Sequence, residues 1–262
     1  RGYGSMTLSG VNTYSGSTEI ETNGGKIILT DQGTILNTST FLIRENAEFI
    51  VDNRSGANLE QRLGDLNTIN LQGGQLTLIA ATSGNTRETI GNIGLVDNRT
   101  NSIRSIVAPG ADAEWRISSM SGAANGRFVR FIGEGTELGA ATGNRIAFTT
   151  APALTDGIIN FAVIENRAGL DQGFQFASRR DPSAGLKPFN NLLEVYTATT
   201  AALTGLAGIE GTHSFGTDFS VSSNTRNVRL TGSQSLTGAT LANAVLLANG
   251  GIVIGGNTLN ID

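Results

Sequence analysis

The sequence contains no cysteine and a single histidine among its 262 residues. Disulfides, cysteine-ligated zinc and iron–sulfur clusters are therefore excluded as sources of stability or activity. His213 could serve as a base or a metal ligand, but the chain has no cysteine and no second histidine to complete a site around it. We predict that His213 is a surface loop residue and that no residue binds a metal.

Charged and aromatic residues are also scarce, at 15% and 6% of the chain. The net charge of −4 is too small, and the hydrophobic fraction of 39% too large, for a disordered chain. The only lysines are Lys26 and Lys187, and the balance is slightly acidic, so we expect no nucleic-acid partner. No run of about 18 apolar residues occurs, so we expect no membrane-spanning helix.

Glycine is abundant, at 35 residues, and isoleucine, leucine and valine are dispersed among threonine, serine and asparagine. This mixture favours short strands joined by tight turns and disfavours helices. Several segments alternate as half-buried strands do. In residues 113–118, Trp115 and Ile117 share one face while Glu114 and Arg116 share the other, so we predict that Trp115 lies in the core.

Two short patterns recur along the chain. A Gly-Gly pair followed by apolar strand residues occurs at residues 24–29, 73–78 and 250–254. The run Val-Asp-Asn-Arg, followed by Ser or Thr, occurs at residues 51–55 and 96–100. Repetition at intervals of tens of residues indicates stacked units that share one core. Glycine readily adopts the positive φ that each corner of such a stack requires.

These features predict an all-β fold, a right-handed parallel β-helix (β-solenoid), over residues 1–262 as a single domain. Rungs of roughly 20 to 25 residues would give about 10 to 13 rungs and a rod on the order of 50 to 60 Å long. An irregular insertion is predicted at residues 167–220, because prolines cluster between Pro152 and Pro188 and the repeats fade there. We find no polar capping unit at either end, so we expect the domain to belong to a longer repeat array or filament.

Residues 8–20 read LSGVNTYSGSTEI, and the pattern continues through the Gly-Gly strand that ends at Leu29. This stretch resembles the passenger-associated repeat of bacterial autotransporters, in which such residues precede a turn and a further strand. Residues 144–152 and 227–238 are similar to segments of large repetitive surface proteins of the same broad group. The resemblance implies an extracellular or cell-surface β-solenoid, and it implies no catalytic residues.

Parallel β-helices include enzymes that degrade polysaccharides, and glycoside hydrolysis uses paired carboxylates. The irregular segment contains four acidic candidates for such a pair: Asp171, Asp181, Glu194 and Asp218. Their spacing does not pair them, and solvated loop acids are the favoured interpretation. Arg179 and Arg180 form a basic spot that is too short for a nucleic-acid patch.

Asp52 and Asp97 stand at equivalent positions of the second repeat, each beside an asparagine. Either could bind a cation weakly, but turn formation explains both residues better. Phosphate-loop and dinucleotide fingerprints are absent from the sequence, because its glycine-rich segments lead into strands rather than into helix N-termini. We therefore predict no cofactor.

We predict a structural protein and not an enzyme, with no catalytic, cofactor-binding or metal-binding residue. It would be a fibre subunit or passenger stalk that associates with itself or with neighbouring repeats of the same protein. Strand addition, head to tail, would use residues 7–10 or 251–261. The alternative is an adhesin that binds a host or matrix glycan or protein through residues 167–220. A polysaccharide-degrading enzyme ranks third.

Overall fold

A computed structural model describes the following residues: 3–55, 58–122, 126–139, 143–150, 152–153, 155, 158–168, 173–180, 193–198, 214–216, 219, 222–230, 232–247, 252–254 and 257–261. None of these residues is helical; they form strands, turns and bends. Most strands pair in parallel with a strand one rung away in the chain. The predicted all-β solenoid is therefore confirmed.

The strands fall into a main stack and a C-terminal group. The main stack contains β1 (Ser5–Leu8), β2 (Val11–Asn12), β3 (Thr18–Ile20), β4 (Lys26–Leu29), β5 (Thr34–Ile35), β6 (Thr40–Arg44), β7 (Glu48–Asp52), β8 (Thr68–Gln72), β9 (Gln75–Ile79), β10 (Gly84–Leu95), β11 (Thr100–Ile106), β12 (Ala111–Ser121), β13 (Phe128–Glu134), β14 (Asn144–Phe148) and β15 (Ala162–Asn166). The C-terminal group contains β16 (Gly173–Arg180), β17 (Leu193–Ala198), β18 (Ser214–Gly216), β19 (Ser223–Leu230), β20 (Ser233–Ser235), β21 (Thr240–Leu247), β22 (Ile252–Ile254) and β23 (Leu259–Ile261).

Each rung of the main stack has three sides. The first side is the parallel series β1, β4, β7, β9, β11, β13 and β15. The second side holds β2, β5, the start of β10, the start of β12, and β14. The third side holds β3, β6, β8 and the ends of β10 and β12. Strands β10 and β12 bend around the corner between the second and third sides.

Glycines and asparagines shape the corner between the third and first sides. Asn23, Gly24, Asn46 and Gly73 all have positive φ there, between 61° and 83°. Gly74 is the second glycine of the pair at residues 73–74, and a Cβ added to it would lie 2.5 Å from a backbone oxygen. The first two Gly-Gly repeats thus stack at one corner, as predicted. The glycines of the third copy lie outside the described residues.

Inward side chains of equivalent strand positions stack in columns. The longest column of the first side is Ile27, Phe49, Leu76, Ile103, Phe131 and Ile164. All six are buried in the core, and Trp115 of the second side is also fully buried, as predicted. Phe41 and Phe49 cross the interior from two sides and meet edge to face, with ring centroids 5.1 Å apart.

Rung length is not constant. Lys26 and Glu48, on successive strands of the first side, are 22 residues apart, whereas Ser102 and Arg130 are 28 apart. The longer rungs give extra residues to the second and third sides, which merge into the long strands β10 and β12. The main stack ends after seven strands on its first side, which is fewer than the expected 10 to 13 rungs.

Parallel stacking stops after β15, close to the predicted start of the irregular segment. Strand β16 pairs antiparallel with β15 and with β17, and β17 pairs antiparallel with β14. Parallel pairing then resumes in β18, β19, β21 and β23, and in the separate pair β20 and β22. This C-terminal group has its own small core around Val228, Leu230 and Ala242.

Removing one inward side chain should destabilise the stack far more than removing an outward one. Leu71 is fully buried between Ile43 and Leu95, whereas Leu66 is 89% exposed. We expect Leu71→Ala to lower the free energy of unfolding by about 2–5 kcal/mol, because it removes buried apolar contacts and leaves a cavity. Leu66→Ala should change it by less than about 0.5 kcal/mol. Urea unfolding followed by circular dichroism measures both, and equal effects would contradict the column arrangement.

Candidate functional site

Most of the acidic candidates cannot be assembled into a site. Asp171, Asp181 and Asp218, together with His213, lie outside the described residues. Glu194 lies in β17, where its backbone pairs with Ala147 of β14, and its side chain lies outside the described part of the structure. Catalysis and adhesion through residues 167–220 therefore remain predictions, and so does the expectation that the chain is not an enzyme.

Asp52 and Asp97 are not equivalent, contrary to the repeat in sequence. Asp52 ends a strand of the first side, whereas Asp97 follows the end of β10 on the third side. Arg54 holds Asp52 through its backbone N–H, its Nε and its Nη2, the last at 2.7 Å. Burial raises the pKa of Asp52, but these bonds outweigh burial and the net pKa is lowered. Asp97 has φ of 64° and accepts a hydrogen bond from Gln72, as a turn residue would.

The first rung exposes an unpaired backbone edge. Within the described residues, β1 pairs only with β4, β2 only with β5, and β3 only with β6. The carbonyl oxygens of Gly4 and Leu8 accept hydrogen bonds from the next rung, at 3.1 Å each. Because a strand alternates the direction of its backbone groups, the N–H and C=O groups of Ser5 and Thr7 point away from β4. They face the open end of the stack.

Large apolar side chains accompany this open edge. Tyr3, Met6, Val11 and Tyr14 all belong to the first rung and are all exposed, Tyr3 at 83% and Val11 at 69%. Apolar groups of this size cluster on protein surfaces chiefly where something covers them. The first rung therefore combines the two features of an interaction surface, unpaired backbone and exposed apolar area.

The opposite end of the main stack is covered. Strand β16 pairs with the last strand of the first side, and β17 pairs with the last strand of the second side. The two strands also pair with each other, so they join the two edges into one continuous sheet. Ile158 next to this end packs against Ala244 and Leu246 of β21. The main stack thus has one open and one covered end.

The C-terminal group ends in another partly open rung. Strand β23 pairs only with β21, and β22 only with β20, among the residues that the structure describes. Leu241 of β21 and Ile261 of β23 are exposed, and Leu247 ends β21 in an exposed position as well. All of these pairs are parallel. A further parallel strand could therefore extend this end with the same pairing pattern.

Outward side chains of successive rungs form polar ladders. Lys26 donates to Glu48 at 2.8 Å, and Gln75 of the following rung donates to the same carboxylate at 2.6 Å. Burial raises the pKa of Glu48, but hydrogen bonds from Lys26, Thr77 and Gln75 outweigh it, so the net pKa is lowered. A second ladder on the third side continues from Arg44 to Gln72. Such contacts hold the rungs in register without using core positions.

Two ionisable side chains, those of Glu88 and Arg62, lie inside the stack. Glu88 points inward from β10 between Thr86 and Ile90, and its carboxylate accepts the backbone N–H groups of Arg62 and Leu63 at 2.8–3.1 Å. Those two N–H groups belong to the previous rung, which has no strand at that point to pair with. Glu88 therefore completes the rung-to-rung hydrogen bonding with its side chain.

The guanidinium of Arg62 is buried beside this carboxylate and spans several rungs. Its Nε donates to Asn53, its Nη1 to the Gly33 carbonyl at 2.8 Å, and its Nη2 to the Asp31 carbonyl at 3.0 Å. Burial lowers the pKa of Arg62, against the attraction of Glu88 and two aspartates. These inward ionisable residues were not predicted. Their only signal in the sequence is that Glu88 occupies an inward position of an alternating strand.

Comparison with known proteins identifies no family for this chain. No family model, no curated protein and no solved structure matches the chain. No group of three or more potential metal ligands occurs among the described residues. Within the same residues there is also no helix with the length and apolar character needed to span a membrane.

The contribution of Glu88 to the free energy of unfolding should fall as the pH rises. Burial raises its pKa to about 8 from the ordinary value of 4.5, although the N–H groups of Arg62 and Leu63 act in the opposite direction. Between these two values the folded chain holds a proton that the unfolded chain has lost. The stability contributed by this proton is therefore fully present below about pH 4.5 and is lost as the pH rises through about 8.

The test compares urea-unfolding midpoints at pH 5 and pH 8.5. Glu88→Gln carries no charge at either pH, so the part of the pH dependence that comes from Glu88 should disappear. Glu60→Gln is the matched control, because the Glu60 side chain is 60% exposed, and it should keep the pH dependence of the unaltered chain. The assignment fails if Glu88→Gln and the unaltered chain respond equally to pH.

Proposed function

We propose that this chain is a structural β-solenoid element of a bacterial surface or extracellular protein, extended by strand addition at its first rung. The observation that carries the proposal is the open first rung, with unpaired backbone groups and exposed apolar side chains. An additional rung of the same kind would satisfy the backbone and cover the apolar groups together.

The favoured occupant of the open rung is another rung of this kind, from a second copy of the chain or from a neighbouring repeat of a longer one. The C-terminal group ends in parallel strands with exposed Leu241 and Ile261, which match the parallel, apolar character of the first rung. Contact between two different ends of identical units is heterologous and propagates without closing. A fibre or a long stalk follows from such contacts.

The resemblance of residues 8–29 to a passenger-associated repeat supports a location on or outside the bacterial cell. The absence of cysteine is compatible with that location, because a chain without thiols is indifferent to the redox state of its surroundings. Stability must then come from the stacked columns and ladders, which need no cofactor.

A single proline should prevent strand addition without disturbing the first rung. Because the Thr7 N–H points away from β4, Thr7→Pro removes a donor of the open edge and leaves the bonds from β4 to Gly4 and Leu8 intact. Thr7→Ala keeps the N–H and is the matched control. We expect assemblies of the unaltered chain and of Thr7→Ala in analytical ultracentrifugation and electron microscopy across a concentration series, and mostly monomers of Thr7→Pro.

Deleting residues 1–10 removes β1 altogether and should abolish assembly as well. Thermal unfolding of each variant distinguishes a lost contact from a lost fold, since Thr7→Pro should melt close to the unaltered chain. If the chain stays monomeric at every concentration, or if Thr7→Pro assembles as readily as Thr7→Ala, strand addition at the first rung is wrong.

A further inference from the structure

A cleft of about 700 Å³ opens at the corner between the third and first sides of the main stack. The turns that form this corner differ in length. The turn at residues 73–74 is shorter than the turns beside it, at 45–47 and 96–99. The shorter turn lies between two protruding ones and leaves a notch along the outside of the stack, which we call the corner cleft.

The walls of the corner cleft come from successive rungs. Glu45 and Asn46 line one wall, residues 97–100 line the other, Gly73 lies between them, and Arg127 extends the cleft to a further rung. Rungs are spaced by about 4.8 Å, so four levels span on the order of 15 Å along the axis. An open cleft of this length suits a short linear ligand better than a compact one.

The chemistry of the lining is polar and balanced in charge. The lining includes two carboxylates, of Glu45 and Asp97, and two guanidinium groups, of Arg99 and Arg127. Asn98 adds an amide beside them, and all of these groups are hydrogen-bond donors or acceptors in fixed planes. A cleft without net charge does not select a polyanion such as a nucleic acid, and it lacks the apolar lining that an aliphatic ligand needs.

Arg99 crosses the cleft in a way that its repeat counterpart does not. It forms an ion pair with Glu45, on the far wall, and passes over Gly73, where an added Cβ would lie 3.0 Å from its Cδ. In the other copy of the same motif, Arg54 turns back onto Asp52, two residues away. The same sequence therefore produces a closed local pair at one corner and a bridging pair over a cleft at another.

An exposed aromatic ring lies next along the same corner. Tyr3 lies against Gly24, with its Cδ1 3.8 Å from the position of an added Cβ, and the Asn46 carbonyl is 3.9 Å from that same position. Asn46 is part of the cleft wall. An apolar ring face beside planar polar groups provides both kinds of contact that a sugar ring offers, a flat C–H face and rows of hydroxyls.

We propose that the corner cleft binds a neutral oligosaccharide, with Arg99 and Glu45 bonding its hydroxyl groups and Tyr3 stacking on one sugar ring. Arg99 and Glu45 lie on the flank of the stack, whereas Tyr3 belongs to the first rung, so strand addition there affects the stacking contact but not the hydrogen bonds of the cleft. A solenoid that also binds a glycan would be anchored along its length to a polysaccharide. This role goes beyond the structural function proposed above and uses residues outside the 167–220 segment.

The test measures binding of defined hexasaccharides by isothermal titration calorimetry. The neutral probes are the hexamers of glucose, mannose and N-acetylglucosamine, and a heparin-derived hexasaccharide is the anionic probe. We expect at least one neutral probe to bind the unaltered chain, and Arg99→Ala to weaken that binding roughly tenfold or more by removing charge-assisted hydrogen bonds. Arg54→Ala is the matched control, since it alters the same motif outside the cleft, and it should bind as the unaltered chain does.

Tyr3→Ala provides a second variant at an exposed position and should weaken binding of the same probe without a change in the unfolding midpoint. The proposal is overturned if no neutral hexasaccharide binds at millimolar concentration, or if only the heparin-derived probe binds. Equal losses for Arg99→Ala and Arg54→Ala would also overturn it. Assembly of the Thr7 variants reports on the structural function alone, so the two proposals fail independently.

Discussion

Rung-to-rung backbone hydrogen bonding is the constraint on which the rest of this structure depends. Each parallel strand must present its donors and acceptors at the level of the next strand, so equivalent positions of successive rungs lie directly above one another. Inward positions then form apolar columns, and outward positions form polar ladders such as Lys26, Glu48 and Gln75. The inward position of Glu88 follows from the same constraint, because its carboxyl oxygens accept two N–H groups that no strand reaches.

The same constraint makes the two ends of the main stack differ in their backbone pairing. A rung in the interior has neighbours on both sides, whereas the first rung has a neighbour on one side only among the described residues. Strands β16 and β17 cover the other end of the main stack by turning antiparallel, which also breaks the template for further parallel addition there. The two ends of the main stack therefore differ among the described residues, and this difference gives the stack a direction.

Local sequence features predicted a large part of this fold. The Gly-Gly corners, the alternating strand with Trp115 inward and the change of organisation near residue 167 are each encoded within a few residues. The alignment of the two Val-Asp-Asn-Arg runs failed, because rungs vary from 21 to 33 residues in length along the first side and the runs end up on different sides. Local sequence features could not predict the partners of Glu88 either, because 25 residues separate it from Leu63.

The contrast between Arg54 and Arg99 explains how a repetitive stack can acquire a specific site. Both residues follow the same Val-Asp-Asn tripeptide and both point outward, so neither contributes to the core columns. Their partners differ because the two runs lie on different sides of the stack, beside turns of different length. Gly73 leaves room for Arg99 to reach across a rung. Outward side chains outside the polar ladders can therefore differ between corners while the inward columns stay fixed. Turn lengths set the shape of the corner cleft, and the inward side chains form the core that holds the stack together.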